Sequence, residues 1–482
     1  MKITPPTRVV DRPAAILLPG KRRLSVLTIE GERSYQGTRA VTQALQSMTG
    51  HCCYVLSNLS ALRHTTNPMG WQCHLWKGRE TRMVHHETGL SVSSLRGTLE
   101  NSTNPFDELQ KVLGWLSTYG VAAGSIPAMA WALFRSSLPQ DYTIGFDPEI
   151  SQQAFFGGRQ EAPRPQVFTH MASYDIRAAY PVAQASKPYA LSLRQVHVKS
   201  ILDPDVAGLA ECSINVPGEM PFAPVPVRIA PGMISFQHGL VKGIWPWVEV
   251  SAAMALGCEV KINRLWAPRR TADLFGAWWP MVLEGRQLPG PAGVLAKSIA
   301  NSCWGQFGMT GKDRAVRTWA DEAGDQFYDT PEPERGMPHE WTAIIGAETT
   351  ARVRVRMLLE GLYGNCQPVY CDTDGIIVPE GSPMPDDSGT LAGQWSVKAT
   401  MPTVDIRGPQ FYRWTCGAAC GVDHAEWHFN CSGVAAEDAP KLFAKSAAEL
   451  GPHIDWARAF DGDQNLSRLA SMNRTSQVIE QW

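Results

Sequence analysis

Residues 370–375 read Tyr-Cys-Asp-Thr-Asp-Gly and lie between apolar runs. Strand-forming flanks and an Asp-Gly pair constrain this stretch to a hairpin over about Tyr370–Val378. Period-two alternation then puts Asp372 and Asp374 on one side of the chain. There the two carboxylates repel each other unless a cation lies between them. An all-oxygen donor set favours magnesium or manganese. An isolated Asp-x-Asp-Gly turn also suits a solvated surface hairpin, so its meaning depends on what else the chain supplies.

Two further groups supply it. Val167–Ile176 reads as a strand that delivers Asp175 to its end and leads into the helix-compatible AAYPVAQA. Phosphoryl transfer with two metal ions needs acids from more than one element, and Asp175 is the candidate third carboxylate. In Lys297-Ser298-Ile299-Ala300-Asn301-Ser302-Cys303-Trp304-Gly305, Lys297 and Asn301 share a helix face. Arg286 falls in the preceding loop. A Lys and an Arg on a helical hairpin suit a triphosphate; a solvated basic face is the plainer reading.

The chain has 482 residues, 44 Lys+Arg against 46 Asp+Glu, and 44% hydrophobic residues. That apolar content excludes disorder and small disulfide scaffolds, and no apolar run approaches a membrane span. The first 20 residues lack the apolar core of a signal peptide. Eleven cysteines without a dense framework fit a reducing compartment, so a cytoplasmic location is expected. Near-neutral charge leaves room for local phosphate-gripping runs: Lys21-Arg22-Arg23, Lys261/Arg264/Arg269/Arg270 and Arg352/Arg354/Arg356. Further strands are expected at Leu24–Ile29 and Cys52–Leu56. Helices are expected at about Phe106–Leu116, Thr271–Gly285 with Thr271 as N-cap, Val294–Trp304 and Ile345–Leu362.

Together the three groups resemble the motifs of family B DNA polymerases. Asp175, Tyr180 and Pro181 match the first motif, with Ala178 and Ala179 replacing Ser-Leu. Lys297, Asn301, Ser302 and Gly305 match the second, with Trp304 for Tyr. Tyr370, Asp372, Thr373 and Asp374 match the third, with Gly375 for Ser. Phe155-Phe156-Gly157-Gly158 is similar to the Tyr-x-Gly-Gly element between the exonuclease and polymerase regions. Gln410-Phe411-Tyr412 stands where the family has Lys-x-Tyr at the primer terminus. Motif separations resemble the compact protein-primed phage and plasmid branch.

The resemblance implies an α+β multidomain right-hand polymerase with an N-terminal RNase H-like exonuclease-type domain. The expected division is 1–150 exonuclease-like, 151–270 first palm part with an insertion at 190–265, and 271–310 fingers hairpin. The second palm part follows at 311–410 with an insertion at 311–340, then the thumb at 411–482. It implies template-directed addition of deoxynucleotides to a primer 3′ end, with Asp175, Asp372 and Asp374 catalytic. These three and the Ile176 carbonyl would hold two Mg2+ ions, or Mn2+. Tyr180, Arg286, Lys297 and Asn301 would bind the nucleotide. Ser302, Trp304, Gly305, Gly157, Gly158, Gln410 and Tyr412 would touch template or primer. The implied partners are primer-template DNA, deoxynucleoside triphosphates and a terminal or other priming protein.

The exonuclease motifs are degenerate. Thr28-Ile29-Glu30 lacks the Asp of Asp-x-Glu, and Asn58 is followed by Arg63 where an Asp is expected. Asp107 is the candidate third acid. A cation in place of a metal-binding acid repels magnesium, so this domain is expected to be folded and inactive. Cys416, Cys420, His424, His428 and Cys431 match no common zinc spacing; packed thiols and surface histidines are the plainer reading. A primase-polymerase that starts without a primer, and a non-catalytic nucleic-acid-binding derivative, are the competing functions.

Overall fold

The computed structural model describes residues 2–3, 13–20, 23–36, 38–48, 51–56, 59, 71–76, 79–85, 90–95, 98–99, 102–138, 142–143, 148–162, 165–200, 203–230, 233–308, 314–320, 326–331, 343–364, 366–385, 387–416, 427–431, 439–443 and 477–478. The chain divides into two compact units. One comprises 1–145 and 272–346, the other 146–271 and 347–482.

The first unit is built on a nine-stranded mixed sheet. At its centre Ala14–Gly20 pairs parallel with Cys52–Val55, which pairs parallel with Ser91–Ser94. The first two strands are mainly apolar, and with Val92 of the third they pack on a core that includes Leu17, Val26, Leu45, Val55 and Trp71, as expected of a parallel centre. Arg23–Thr28 and Gly31–Gln36 form an antiparallel hairpin at one edge. At the other edge, Arg314–Trp319 pairs with Trp71–Trp76 and with Phe327–Pro331. The polar stretch expected as an insertion at 311–340 thus contributes a hairpin to this sheet.

Helices Trp278–Arg286 and Gly290–Phe307 form the expected helical hairpin. Its first helix starts later than the sequence suggests. Thr271 continues the Glu259–Ala272 strand instead of capping a helix. Asp273 then closes the intervening turn, its carboxylate accepting from the Phe275 and Gly276 amides. Pro280 therefore falls in the first helical turn, where its missing N–H costs nothing. The hairpin is fastened to the Pro105–Thr118 helix of the same unit. Trp115 donates to the Met281 carbonyl at 3.2 Å, and the Ala292 amide donates to Glu108 at 3.0 Å. Trp278 is fully buried and packs on Phe275, which stacks on Phe134. It is core, as its apolar helical spacing indicates.

The second unit holds an eight-stranded sheet whose centre is Gln166–Ile176, flanked by Gly375–Pro379 and Trp395–Gly408. Phe411–Thr415 and Trp427–Cys431, in the stretch expected as thumb, continue this sheet antiparallel. Residues 190–265 contribute most of a separate four-stranded sheet packed around Trp245, Trp247 and Val250, in which Leu209–Val216 pairs antiparallel with both neighbours. The helix Ala343–Arg356 has its first turn in the first unit and the rest in the second, and passes into a widened π turn at Met357–Leu362.

Its basic run is not a phosphate surface. Arg354 is buried, in a bidentate ion pair with Glu249 at 2.8 and 3.0 Å, and donates to the Phe156 and Gly157 carbonyls. Arg352 donates to the carbonyls of Ala183, Lys187 and Pro188. Arg356 pairs with Glu360 and Asp387. A charge run read as a solvated grip is spent on internal hydrogen bonds. Of the other runs, Lys21 and Arg22 lie outside the described residues. Lys261, Arg269 and Arg270 are exposed, and Arg264 pairs with Glu211. No described helix is long and apolar enough to cross a membrane.

Candidate active site

Sheet register brings the sequence-predicted acids of the second unit together. Asp175 ends its strand opposite Gly375, and Gly375 also pairs with Asp372 across the hairpin. The hairpin loop is therefore Thr373-Asp374, one residue earlier than the Asp-Gly pair suggests. Asp374 sits in the loop, so the turn and not strand alternation brings it to the site. The turn is tight. Thr373 adopts φ 62°, a strained value for a β-branched residue. Its amide donates to the Arg159 carbonyl at 2.6 Å, and the Asp374 amide donates back to the Asp372 carbonyl at 2.6 Å. Ile176 reaches across with its own amide, which donates to the Asp374 carbonyl at 2.8 Å.

The three aspartates line one cleft of about 210 Å³ together with Ser173, Tyr370, Lys398, Gln410, Tyr412 and Asn430. Asp372 is half-buried and held by three side-chain donors. Its Oδ1 accepts from Gln160 at 3.0 Å, from Thr373 at 2.9 Å and from Gln410 at 3.4 Å. Burial nonetheless pushes its carboxyl pKa up, with these hydrogen bonds opposing the shift. Asp175 Oδ1 is buried and accepts no hydrogen bond. Its Oδ2 is 3.2 Å from the Lys398 ammonium. The Lys398 side chain is mostly exposed; neighbouring protein atoms still partly desolvate its ammonium, but Asp175, Tyr412 and Asp374 outweigh this and leave its pKa raised.

Among the described residues no three His, Cys, Asp or Glu side chains stand in a ready-made metal cage. What the cleft offers is an oxygen-only donor set with one buried oxygen lacking any partner, which suits a hard divalent cation. Asp175, Asp372 and Asp374 are the residues that would hold it.

Gly158 joins the glycine pair to this site. A Cβ there would lie 2.9 Å from the Tyr180 hydroxyl and 2.9 Å from Thr373 Cγ2, so only glycine allows the approach. Gly157 has open space at that position, and its carbonyl is held by Arg354. Tyr180 is buried; desolvation first, then the negative charge of Asp374, drive its pKa far up, so it stays a neutral phenol. Gln410 donates its amide to the Tyr370 hydroxyl at 2.8 Å, and Tyr412 packs edge-on against Tyr370 at 5.2 Å.

The remaining candidates belong to the first unit. Lys297 and Asn301 are exposed on the Gly290–Phe307 helix. Ser302 donates to the Ser298 carbonyl at 2.9 Å. Trp304 is half-buried, and a Cβ on Gly305 would meet nothing within 4 Å. Arg286 is the last residue of the Trp278–Arg286 helix and not a loop residue.

The two described exonuclease candidates with acidic side chains are occupied elsewhere. Glu30 is at the exposed tip of an edge hairpin, paired with Arg33 at 2.8 Å, its amide bonded to Thr28 Oγ1. Asp107 is in the first turn of the Pro105–Thr118 helix, exchanging hydrogen bonds with the N-cap Asn104. Both are local stabilising contacts. Asn58 and Arg63 lie outside the described residues. So do Cys420 and His424 of the zinc candidates. Cys416 is disulfide-bonded, His428 stacks on Trp414 at 5.3 Å, and burial pushes the Cys431 thiol up to about 12. Among the described residues these side chains form no three-ligand cluster.

Sequence reasoning missed Gln160 and Lys398, and gave Arg354 a phosphate-gripping role in place of its structural one. Each acts through partners more than 100 residues away in the chain, and no local pattern marks them.

No family model matches the chain. It is 26% identical over 302 residues to the DNA-directed DNA polymerase of Enterobacteria phage PRD1, an alignment covering 57% of this chain and 52% of that relative. The chain thus spans about half the length of the curated relative that it matches. It is similar to phi29 DNA polymerase with a TM-score of 0.66, at 11% identity, over 89% of this chain and 94% of that one. Against the same polymerase complexed with primer-template DNA and incoming nucleotide substrates, the TM-score is 0.62 at 12% identity, over 90% and 94% of the two chains. The α+β multidomain fold expected from the motifs is the fold found: over most of its length this chain has the fold of phi29 DNA polymerase.

Proposed function

We propose that the chain is a template-directed DNA polymerase that adds deoxynucleotides to a primer 3′ end. The observation that carries this reading is the register that sets Asp175 opposite Gly375 and Asp372 opposite the same glycine. Acids nearly 200 residues apart in sequence thereby line a single cleft. The likeness to the PRD1 and phi29 polymerases supports it.

Asp175, Asp372 and Asp374 would hold two divalent cations, with magnesium favoured by the oxygen donors and manganese accepted. When bound, such ions activate the primer hydroxyl and offset charge on the phosphates. Ile176 lends its backbone beside them. Tyr180, a neutral phenol pressed on Gly158, would pack under the incoming sugar and exclude a 2′-hydroxyl. Lys297, Arg286 and Asn301 would bind the triphosphate. Ser302, Trp304 and Gly305 would face the nascent pair and template. Gly157, Gly158, Gln410 and Tyr412 would border the primer.

Proofreading is absent on this reading, because Glu30 and Asp107 serve a surface hairpin and a helix cap. The partners are primer-template DNA, deoxynucleoside triphosphates and a protein that supplies the priming hydroxyl. Incubating template and nucleotides with and without a primer tests the reading. Extension confined to the primed tube supports it. Products in both tubes indicate a primase-polymerase, and none in either indicates a binding protein.

A further inference from the structure

Lys398 is the one cation among the described residues that line the carboxylate cleft. It stands where the sheet register slips. Tyr174 pairs with Val397 and Ser173 with Ala399, so Lys398 is the extra residue of a β-bulge with no partner across the ladder. A bulge sacrifices regular pairing and re-aims a side chain, and bulges recur beside functional sites. Here the bulged residue brings its ammonium 3.2 Å from Asp175 Oδ2 while the side chain stays 64% exposed. An ion pair that exposed stabilises a fold by little. Stability therefore does not account for the bulge.

The electrostatics of the cleft suggest what does. Its other charged groups are three carboxylates, and the side chains of Gln410, Tyr412 and Asn430 are neutral. Such a cleft repels a polyanion at short range. A primer whose 3′-hydroxyl approaches Asp175 brings with it the phosphodiester joining its last two nucleotides. We propose that Lys398 is a primer-binding residue: its ammonium leaves Asp175 and takes the phosphodiester that precedes the 3′-hydroxyl. The inference rests on the polymerase reading above and adds a residue to it. The resting Asp175–Lys398 pair keeps the ammonium at the place where the phosphate arrives. A long, flexible, point-charged side chain suits such an exchange between anionic partners.

The test is a double-substitution cycle read by fluorescence anisotropy. The probe is a labelled primer-template ending in a dideoxynucleotide, its last internucleotide linkage either a phosphodiester or an uncharged methylphosphonate. Wild-type protein is expected to bind the methylphosphonate probe about tenfold more weakly. Lys398→Met is expected to bind the phosphodiester probe about tenfold more weakly, and to lose nothing more with the methylphosphonate. Its dependence of log Kd on log salt should fall by about one, and Lys398→Arg should restore most of the affinity. Lys398→Gln gives the same cycle should the Met variant fail to fold. Independent, additive losses would overturn the Lys398 assignment and leave the polymerase reading intact. Failure of wild type to bind either probe would overturn both.

Discussion

Gly158 lies so close to Tyr180 that a Cβ on the glycine would stand 2.9 Å from the tyrosine hydroxyl. The glycine is the contact through which the segment before the sheet fixes the side chain expected to select the sugar. Replacing it with alanine must push Tyr180 or Thr373 aside, an overpacking cost of about 1–3 kcal/mol. Gly158→Ala is expected to lower the preference for deoxynucleotides over ribonucleotides as well as the incorporation rate. Single-nucleotide incorporation with each triphosphate checks this. Gly218→Ala, at an exposed position with open space and away from the cleft, is the control and should leave the preference unchanged.

Arg354 should matter for stability more than its place in a basic run suggests. Removing one partner of a buried, hydrogen-bonded ion pair costs about 3–5 kcal/mol. Arg354→Met strands Glu249, which is fully buried, and releases the Phe156 and Gly157 carbonyls. Thermal melting should show a large loss. Lys261→Met, on an exposed strand position, should change the melting temperature little.

Glu348 gives the fold a pH dependence. It is buried, accepts from the Gly208 amide at 3.0 Å, and has its pKa raised to about 7, chiefly by desolvation. A raised folded-state pKa means that the folded protein holds the proton more tightly than the unfolded chain does. The associated stability is full below the unfolded carboxyl range and is lost as pH rises through about 7. Glu348→Gln keeps the oxygen acceptor and cannot ionise. Compared with wild type, it should gain stability between pH 5 and pH 8, measured by denaturant midpoints across that range.

Asp372 carries the opposite relation between stability and function. Burial raises its pKa, so its charge opposes folding at neutral pH when no cation is bound. Asp372→Asn retains an oxygen for Gln160, Thr373 and Gln410 and removes that charge. The variant should melt about 2 °C or more above wild type in the presence of a chelator while losing primer extension. A lower melting temperature would contradict the desolvation argument.

The elements that build the cleft were legible where local chemistry decides them. The strand at Gln166–Ile176 and the hairpin at residues 370–378 follow from strand-forming residues and a turn pair, and in the other unit the Gly290–Phe307 helix follows from its apolar stripe. Other features required the tertiary structure. Lys398 reads as an ordinary strand lysine until a register slip turns it. Thr271 has the chemistry of an N-cap, but sheet pairing extends its strand past it. Arg354 looks like a surface charge because sequence shows the arginine and not Glu249, 105 residues away. The Asp-Gly pair signals a turn correctly but one residue late, because Thr373 takes the left-handed position that a glycine would fill by preference.

The central claim is that Asp175, Asp372 and Asp374 act together on divalent cations to transfer a nucleotide to a primer. Single-turnover incorporation of one deoxynucleotide in magnesium, compared among wild type, Asp175→Asn and Asp374→Asn, tests it most directly. Each substitution is expected to slow incorporation by about a thousandfold or more while primer-template binding is kept. Incorporation by either variant at close to the wild-type rate would contradict the account.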